Sequence, residues 1–294
     1  MRPRNILTVT TLKGGTGKTT FVSNLAAALA ARGKHVLVID LDPSMGVTEA
    51  LGQGFNSPAL PLAYLLTDPE AGKIDKAIVP CELPEMYTDS ESSARQLLQA
   101  KRVAKRTKDL DDRLWIAPAS AGMAAANYAL AIGQAGDDLA LSRLLDGLSM
   151  PWDWVVIDTP GGECSGKLIQ NALMACDKTI SVVEPGAASL RTVPKLQGVV
   201  DNVDRSREAP IERLGFVINK VKKSTNLAED MPEWLDHDNN KVLAIINDSV
   251  GFNYALSDGV PAVLQSPDSE AVAPYYQLVD QLIGEQAPKM AEAA

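Results

Sequence analysis

Cysteine and histidine are scarce in this chain, and each shortage excludes a class of chemistry. Three cysteines, Cys81, Cys164 and Cys176, are spread over 294 residues. No C-x-x-C occurs, and the spacing suits neither a zinc site nor a disulfide framework. Reduced structural thiols in a cytoplasmic protein are the expectation. The two histidines, His35 and His237, are too few and too far apart for a histidine-based metal site; His35 opens a predicted strand. No signal peptide precedes the first apolar run. The one long uncharged stretch, 114–136, is interrupted by Pro118, Ser120, Gly122, Asn127, Gly133 and Gln134. A spanning helix needs about 20 strongly apolar residues, so this stretch is predicted to be a strand followed by a small-residue helix. Positive charge is also in deficit: 28 Lys and Arg against 37 Asp and Glu leave a net charge of −9. Bulk charge therefore does not bind nucleic acid, and any such binding needs a local basic patch.

What is present is an alternation of short apolar runs with helical stretches. Predicted strands cover 5–10, 35–40, 114–119, 154–158, 179–183, 214–219 and 242–247. Most are continuously apolar, as strands covered on both faces are. Helical patterns fill the gaps, among them 18–32, 165–175, 190–203 and 269–284. The alternation predicts an α/β protein with a doubly wound, mostly parallel sheet and helices on both faces. Ligands then sit at the carboxyl ends of the strands. Residues 1–285 read as a single domain with an irregular, partly basic insertion at about 82–108. Within it, 82–89 is predicted to be a loop. Residues 286–294 read as a short flexible tail.

The stretch that organises the chain is Lys13-Gly14-Gly15-Thr16-Gly17-Lys18-Thr19-Thr20. An apolar strand feeds it and an alanine-rich helix leaves it, which is the context in which a phosphate-binding loop carries meaning. Position 12, where the G-x-x-x-x-G-K-[ST] pattern has its first glycine, is Leu. The glycines let backbone N–H groups turn around phosphate oxygens, and the helix presents its N-terminus to the same charge. Lys18 is expected to reach the terminal phosphates and the Thr19 hydroxyl to ligate Mg²⁺.

With its two lysines, the stretch resembles the deviant Walker A motif of the ParA/MinD family of ATPases. The resemblance implies a P-loop NTPase fold of the SIMIBI type and ATP and Mg²⁺ as cofactors. Gly14 to Thr20 would cradle the nucleotide, while Lys13 would cross a dimer interface to touch the partner subunit's nucleotide.

Two strands end in carboxylates. Val36-Leu37-Val38-Ile39-Asp40-Leu41-Asp42-Pro43 carries two aspartates spaced by one residue. It resembles the family's D-x-D-P segment, which implies that Asp42 positions the attacking water and Asp40 supports the Mg²⁺ shell. ATP hydrolysis needs an acceptor and carboxylates placed in this way. The competing reading is that Asp42 caps a helix starting at Pro43. Ser44 stands where the family commonly has glutamine. Trp154-Val155-Val156-Ile157-Asp158-Thr159-Pro160 resembles a Walker B strand, with Asp158 holding Mg²⁺ through water. Gly161-Gly162 then suit a loop that senses the terminal phosphate. Phe216-Val217-Ile218-Asn219-Lys220 ends as related nucleotide hydrolases do, so Asn219 is expected to contact adenine; a surface loop is the alternative.

Two basic patches are candidates for DNA. Residues 92–108 carry Arg95, Lys101, Arg102, Lys105, Arg106 and Lys108 with no acid. On a helix, Leu98, Lys101, Arg102, Lys105 and Arg106 share a face. The second patch is Arg191, Lys195, Arg205, Arg207, Lys220, Lys222 and Lys223. A solvated charged face is the alternative for both.

By resemblance, the expected function is that of a ParA-type partition or positioning ATPase. An ATP sandwich homodimer holds non-specific DNA and is released when a ParB-like partner protein stimulates hydrolysis. Such a protein would be cytoplasmic and nucleoid-associated. A MinD-like membrane cycler would need a basic amphipathic C-terminus, and 275–294 has only Lys289 as a base. A metabolic or electron-transfer ATPase on the same fold is the third reading; Cys164 lies in a Gly-Gly-Glu-Cys-Ser context that does not match an iron–sulfur ligand. Because the first strand begins near residue 5, no N-terminal helix-turn-helix of the kind some plasmid relatives use is expected.

Overall fold

Strand β1 (Ile6–Thr10) is buried along its whole length, as a strand with helices on both sides must be. The computed structural model describes residues 3, 5–11, 13–52, 58–68, 70–84, 93–110, 112–133, 138–162, 166–222, 231–233, 235 and 241–284. Within these residues the further strands are β2 (Val36–Asp40), β3 (Val79–Pro80), β4 (Leu114–Ala117), β5 (Trp154–Asp158), β6 (Lys178–Val183), β7 (Glu212–Val221) and β8 (Val242–Asn247). Among the described residues they form one sheet of order β3-β4-β2-β5-β1-β6-β7-β8. Every pairing is parallel except β3 against β4.

The helices are α1 (Lys18–Ala31), α2 (Gly46–Ala50), α3 (Leu62–Thr67), α4 (Ala94–Lys108), α5 (Gly122–Ala131), α6 (Ala140–Asp146), α7 (Lys167–Ala175), α8 (Ala187–Asp204), α9 (Val250–Asp258), α10 (Ala262–Gln265) and α11 (Ala273–Leu282). Strand parity sorts the core into two layers. Leu7, Val9, Val36, Val38, Val156, Ile180, Val182 and Val217 pack with α1, α4, α9, α10 and α11. Ile6, Leu37, Ile39, Val155 and Ile157 pack with α3, α5, α6 and α7 on the opposite face. The doubly wound expectation holds, and the alanine run of α1 explains its depth: Phe21 through Ala30 are all buried.

The differences from the sequence reading lie at element ends. β3 is an antiparallel edge strand of two residues, Val79 and Pro80. It is too short for periodicity to reveal, and its proline is tolerated because it lies at an edge. β7 extends two residues beyond 214–219 at each end. α8 starts at Ala187 and runs through Pro194. α11 starts at Ala273, because Ser269 instead closes a turn in which its carbonyl accepts from Val272 N at 3.1 Å. The uncharged stretch from Leu114 forms β4 and α5, and no described helix is long and apolar enough to cross a membrane. Residues 81–84 are irregular; the rest of the predicted loop, 85–89, and the tail 286–294 lie outside the described residues.

The end of α1 is tied to α11 by a two-pronged ion pair, Arg32 Nε to Asp280 Oδ1 at 2.7 Å and Nη2 to Oδ2 at 2.9 Å. The Arg32 guanidinium also lies 4.8 Å from the centre of the Tyr276 ring. The hydrogen bond from Arg32 holds the Asp280 carboxyl below its usual range. A depressed carboxylate adds stability above its unfolded pKa and loses it as pH falls through the folded one. Asp280→Asn is therefore expected to lower unfolding free energy by about 1 kcal/mol at pH 7. The difference should shrink as pH falls through and below the usual carboxylate range, as read by urea denaturation across pH.

Candidate active site

The phosphate loop is gripped from outside by the end of β7. Asn219 Nδ2 donates to Thr16 O at 2.8 Å and lies 3.4 Å from Gly17 O. Lys220 Nζ donates to Gly15 O. The peptides are trans among the described residues, so each of these carbonyls points opposite to the N–H of the next residue. The N–H groups of Thr16, Gly17 and Lys18 thus face away from β7, toward the side a phosphate would occupy. Thr16 Oγ1 adds an internal tie to Thr11 Oγ1 at 3.2 Å. Gly17 has φ 78°, and a Cβ there would lie 2.4 Å from Asn219 Nδ2. Only glycine satisfies both the left-handed backbone and the close approach.

Strand register brings the carboxylates together. Asp40 and Asp158 are direct partners across β2 and β5. Each lies two residues after a valine, Val38 or Val156, that packs under α1. Parity therefore aims both at the α1 face, where α1 begins with Lys18. Lys18 is buried and its Nζ pairs closely with Asp158 Oδ1; Asp42 Oδ2 is 3.9 Å away. Burial pushes the Asp158 carboxyl up to about 7, against the pull of Lys18 and with repulsion from Asp40. Its other oxygen, Oδ2, is buried and has no hydrogen-bond partner among the described residues. An orphaned carboxylate oxygen beside an ammonium suits a water on a hard cation.

Asp40 meets protein groups at both of its oxygens. Its Oδ1 accepts from Asp42 N at 2.9 Å, and its Oδ2 accepts from Thr48 N at 2.9 Å and Thr48 Oγ1 at 2.8 Å. Burial raises its pKa, and these bonds oppose the rise. Both oxygens thus brace the segment that carries Asp42. Asp42 Oδ1 accepts from Ser44 N at 2.9 Å, and Gly161 N approaches Oδ2 at 3.3 Å. The capping alternative does not hold: residues 43–45 form a turn, and α2 starts at Gly46 after Met45 at φ 58°. Gly46 abuts Thr19; a Cβ there would lie 3.0 Å from Thr19 Oγ1. Thr20 is half-buried, and its carbonyl accepts from Asn24 Nδ2 at 2.8 Å. No group of three or more His, Cys, Asp or Glu ligands forms among the described residues. The residues still fit Mg²⁺, which usually takes one or two protein oxygens and fills the rest with water and substrate phosphate.

Lys13 does not join the Lys18–Asp158 pair. It is exposed, and its Nζ lies 3.2 Å from Glu184 Oε2; Lys220 Nζ lies 3.3 Å from Glu184 Oε1. Sequence reasoning misses Glu184, Thr48 and the loop-holding role of Lys220. A glutamate one residue past β6 carries no motif, and only the parity of Val182 could have placed it on the α1 face.

The basic patches divide. Lys101, Arg102 and Lys105 are exposed on α4. Arg106 is turned toward the protein: its Nη1 donates to Leu264 O at 2.9 Å and lies 3.4 Å from Gln265 O, capping α10. Arg191, Lys195 and Lys222 are exposed, and Lys223 lies outside the described residues. Arg205 is at the other end of α8, about 21 Å from Arg191 at 1.5 Å per residue. Arg207 donates to Leu173 O, to Met174 O at 2.7 Å and to Cys176 O at 2.7 Å. It closes the C-terminus of α7 instead of facing solvent as a patch residue. Cys81 packs on the α1 face and Cys176 on the other; Cys164 lies outside the described residues.

Strand-end carboxylates, a glycine loop and a buried lysine define a P-loop nucleotide-binding protein. A family model for an AAA domain matches residues 4–212, more than half of the chain. The chain is 27% identical over 297 residues to the chromosome partitioning protein ParA of Caulobacter vibrioides, covering 99% of this chain and 98% of that protein. It superposes on the ATP complex of McdA from Cyanothece with a TM-score of 0.74 at 18% identity, covering 98% and 99% of the two chains. It superposes on the septum site-determining protein MinD of Pyrococcus horikoshii, complexed with Mg-ADP, with a TM-score of 0.67 at 21% identity, covering 95% of each. The chain belongs to the ParA/MinD family of P-loop partition and positioning ATPases.

The position of Asn219 makes its role testable. A loop brace acts on every nucleotide alike, so Asn219→Ala should weaken ATP and GTP binding by the same factor, about tenfold, in competition with a fluorescent nucleotide. A loss confined to ATP would return the amide to the base.

Proposed function

We propose that this protein is a Mg²⁺-dependent ATPase of ParA type. ATP closes two copies into a sandwich dimer that holds non-specific DNA and opens when a partner protein stimulates hydrolysis. The observation that carries the reading is the division of labour between the two lysines. Lys18 is 5% exposed and faces Asp158, whereas Lys13, from the same loop, has a side chain 46% exposed and faces outward. In this reading one subunit uses the first on its own phosphates and offers the second to another copy.

In this reading the N–H groups of residues 16–18 and the Lys18 ammonium bind the phosphates. Thr19 Oγ1 and the Oδ2 side of Asp158 would hold the ion. Bound Mg²⁺ neutralises charge on the transferring phosphate. Asp42 orients and accepts a proton from the attacking water, while Asp40 keeps the Asp42 segment in place. Gly161 N, within reach of Asp42, meets the terminal phosphate. Asp42→Ala should reduce ATP turnover by at least about 100-fold while leaving nucleotide binding intact, so that the ATP dimer accumulates in sedimentation velocity. Loss of nucleotide binding instead would place Asp42 in the cradle.

For DNA, the exposed face of α4 is the stronger candidate, since Lys101, Arg102 and Lys105 are exposed and no acid occurs in 92–108. Replacing the three with Glu should abolish ATP-dependent retention of DNA at low salt. The wild-type salt slope should exceed that of a single-Ala variant by about 1. The same experiment on Arg191→Glu/Lys195→Glu tests the second patch. The cargo would be a plasmid, a chromosome or a protein organelle. ATP-dependent sedimentation with anionic vesicles would instead favour the membrane-cycling branch of the family.

A further inference from the structure

The carboxylate of Glu184 holds two cations. One oxygen takes Lys13 Nζ at 3.2 Å and the other takes Lys220 Nζ at 3.3 Å. Lys220 is doubly committed, because its ammonium also donates to Gly15 O in the phosphate loop. Its backbone sits at φ 56°, a region a long side chain enters only when its surroundings hold it there. Glu184 itself is 22% exposed in its side chain, against 46% for Lys13. The three side chains therefore differ in how firmly they are held. Lys220 is pinned to the loop, Glu184 is anchored on Lys220, and Lys13 is the end that can leave.

The in-trans use of Lys13, on which the following rests, requires this pair to break. An ammonium bonded to a carboxylate in its own subunit must leave it to reach another subunit. With a single partner, that departure would strand a partly buried carboxylate, which is costly. Here it does not, because Lys220 remains on the other oxygen. The geometry points to Glu184 as a positioning residue that parks Lys13 in its own subunit, with Lys220 as the counter-charge that makes release inexpensive. Two copies then close only when phosphate charge out-competes Glu184 for Lys13. Glu184 touches neither phosphate nor water in this scheme; it acts through Lys13.

An exposed ion pair of this kind shifts an equilibrium by about 2- to 5-fold. Both subunits release a lysine, so the factor is squared. Glu184→Gln is expected to lower the dimer dissociation constant in a non-hydrolysable ATP analogue and Mg²⁺ by about 4- to 25-fold, measured by sedimentation velocity. Its ADP affinity, which reports only the single-subunit cradle, should stay within about twofold. Lys220→Met should act in the opposite sense, since Glu184 is then left to Lys13 alone, and Glu184→Gln added to it should reverse the effect. A wild-type dimer with Glu184→Gln dimerisation unchanged or weakened would overturn the parking role while leaving the sandwich reading intact. A wild-type protein that stays monomeric at saturating nucleotide would overturn both.

Discussion

A buried ammonium facing a buried carboxylate sits where the central strands end, and the rest of the site is arranged around it. Lys18 and Asp158 are both nearly inaccessible, at 5% and 0% side-chain exposure. Such a pair adds little net stability over apolar packing, because two ions must be stripped of water. The repulsion of Asp40, register partner of Asp158, makes the arrangement still less favourable. Two carboxylates side by side on adjacent strands make each other's ionisation more costly, and a nearby cation offsets that cost. A site of this kind gains when phosphate and a divalent ion enter: the ammonium meets a more concentrated anion and the carboxylate meets a more concentrated cation.

Much of this is legible in the sequence because strand periodicity and motif spacing carry the same information. The runs that end in Asp40, Asp158 and Asn219 each have an apolar residue two positions earlier on the α1 face: Val38, Val156 and Val217. The pattern therefore places all three side chains at one end and on one side of the sheet. The edges are less legible. β3 has two residues and a proline, so no period exists to be read. The basic face of α4 is readable as a helix, but a helical wheel does not show what packs against it. Spacing groups Arg106 with Lys101, Arg102 and Lys105, whereas by contact it belongs to the carbonyl end of α10.

Two of the expected ligand contacts are, in the structure, contacts to the protein itself. Motif resemblance puts Asn219 at the base and Asp40 at the metal, yet both bond backbone within the protein. A motif reports that a polar side chain stands near the ligand. It does not say whether that side chain faces the ligand or holds the peptide that does. A loop of this kind recognises phosphate largely through main-chain N–H groups. Their direction is fixed from behind by whatever bonds the opposite end of each peptide. Residues that hold the loop are therefore as necessary as those that touch phosphate, and they carry the same motif signal.

The same logic identifies what can move. The ends of β2 and β5 are locked in register and carry fully buried side chains, so neither strand end can shift without disrupting the core. The segments beyond them leave the strand ladder. Residues 41–46 leave β2 through a turn with Met45 at φ 58°, and 159–162 leave β5 through Gly161 and Gly162. Asp42 Oδ2 and Gly161 N, 3.3 Å apart, join the two segments directly, and Gly161 approaches Gly14 so closely that a Cβ on it would be 3.6 Å from the Gly14 Cα. In the proposed reading, a terminal phosphate entering between them competes with Asp42 for Gly161 N. In that reading the adjustment falls on residues 41–46, which lead to α2, and on residues 159–162. The sheet fixes the carboxylates, and the two loops beyond it are where the proposed response to a phosphate would lie.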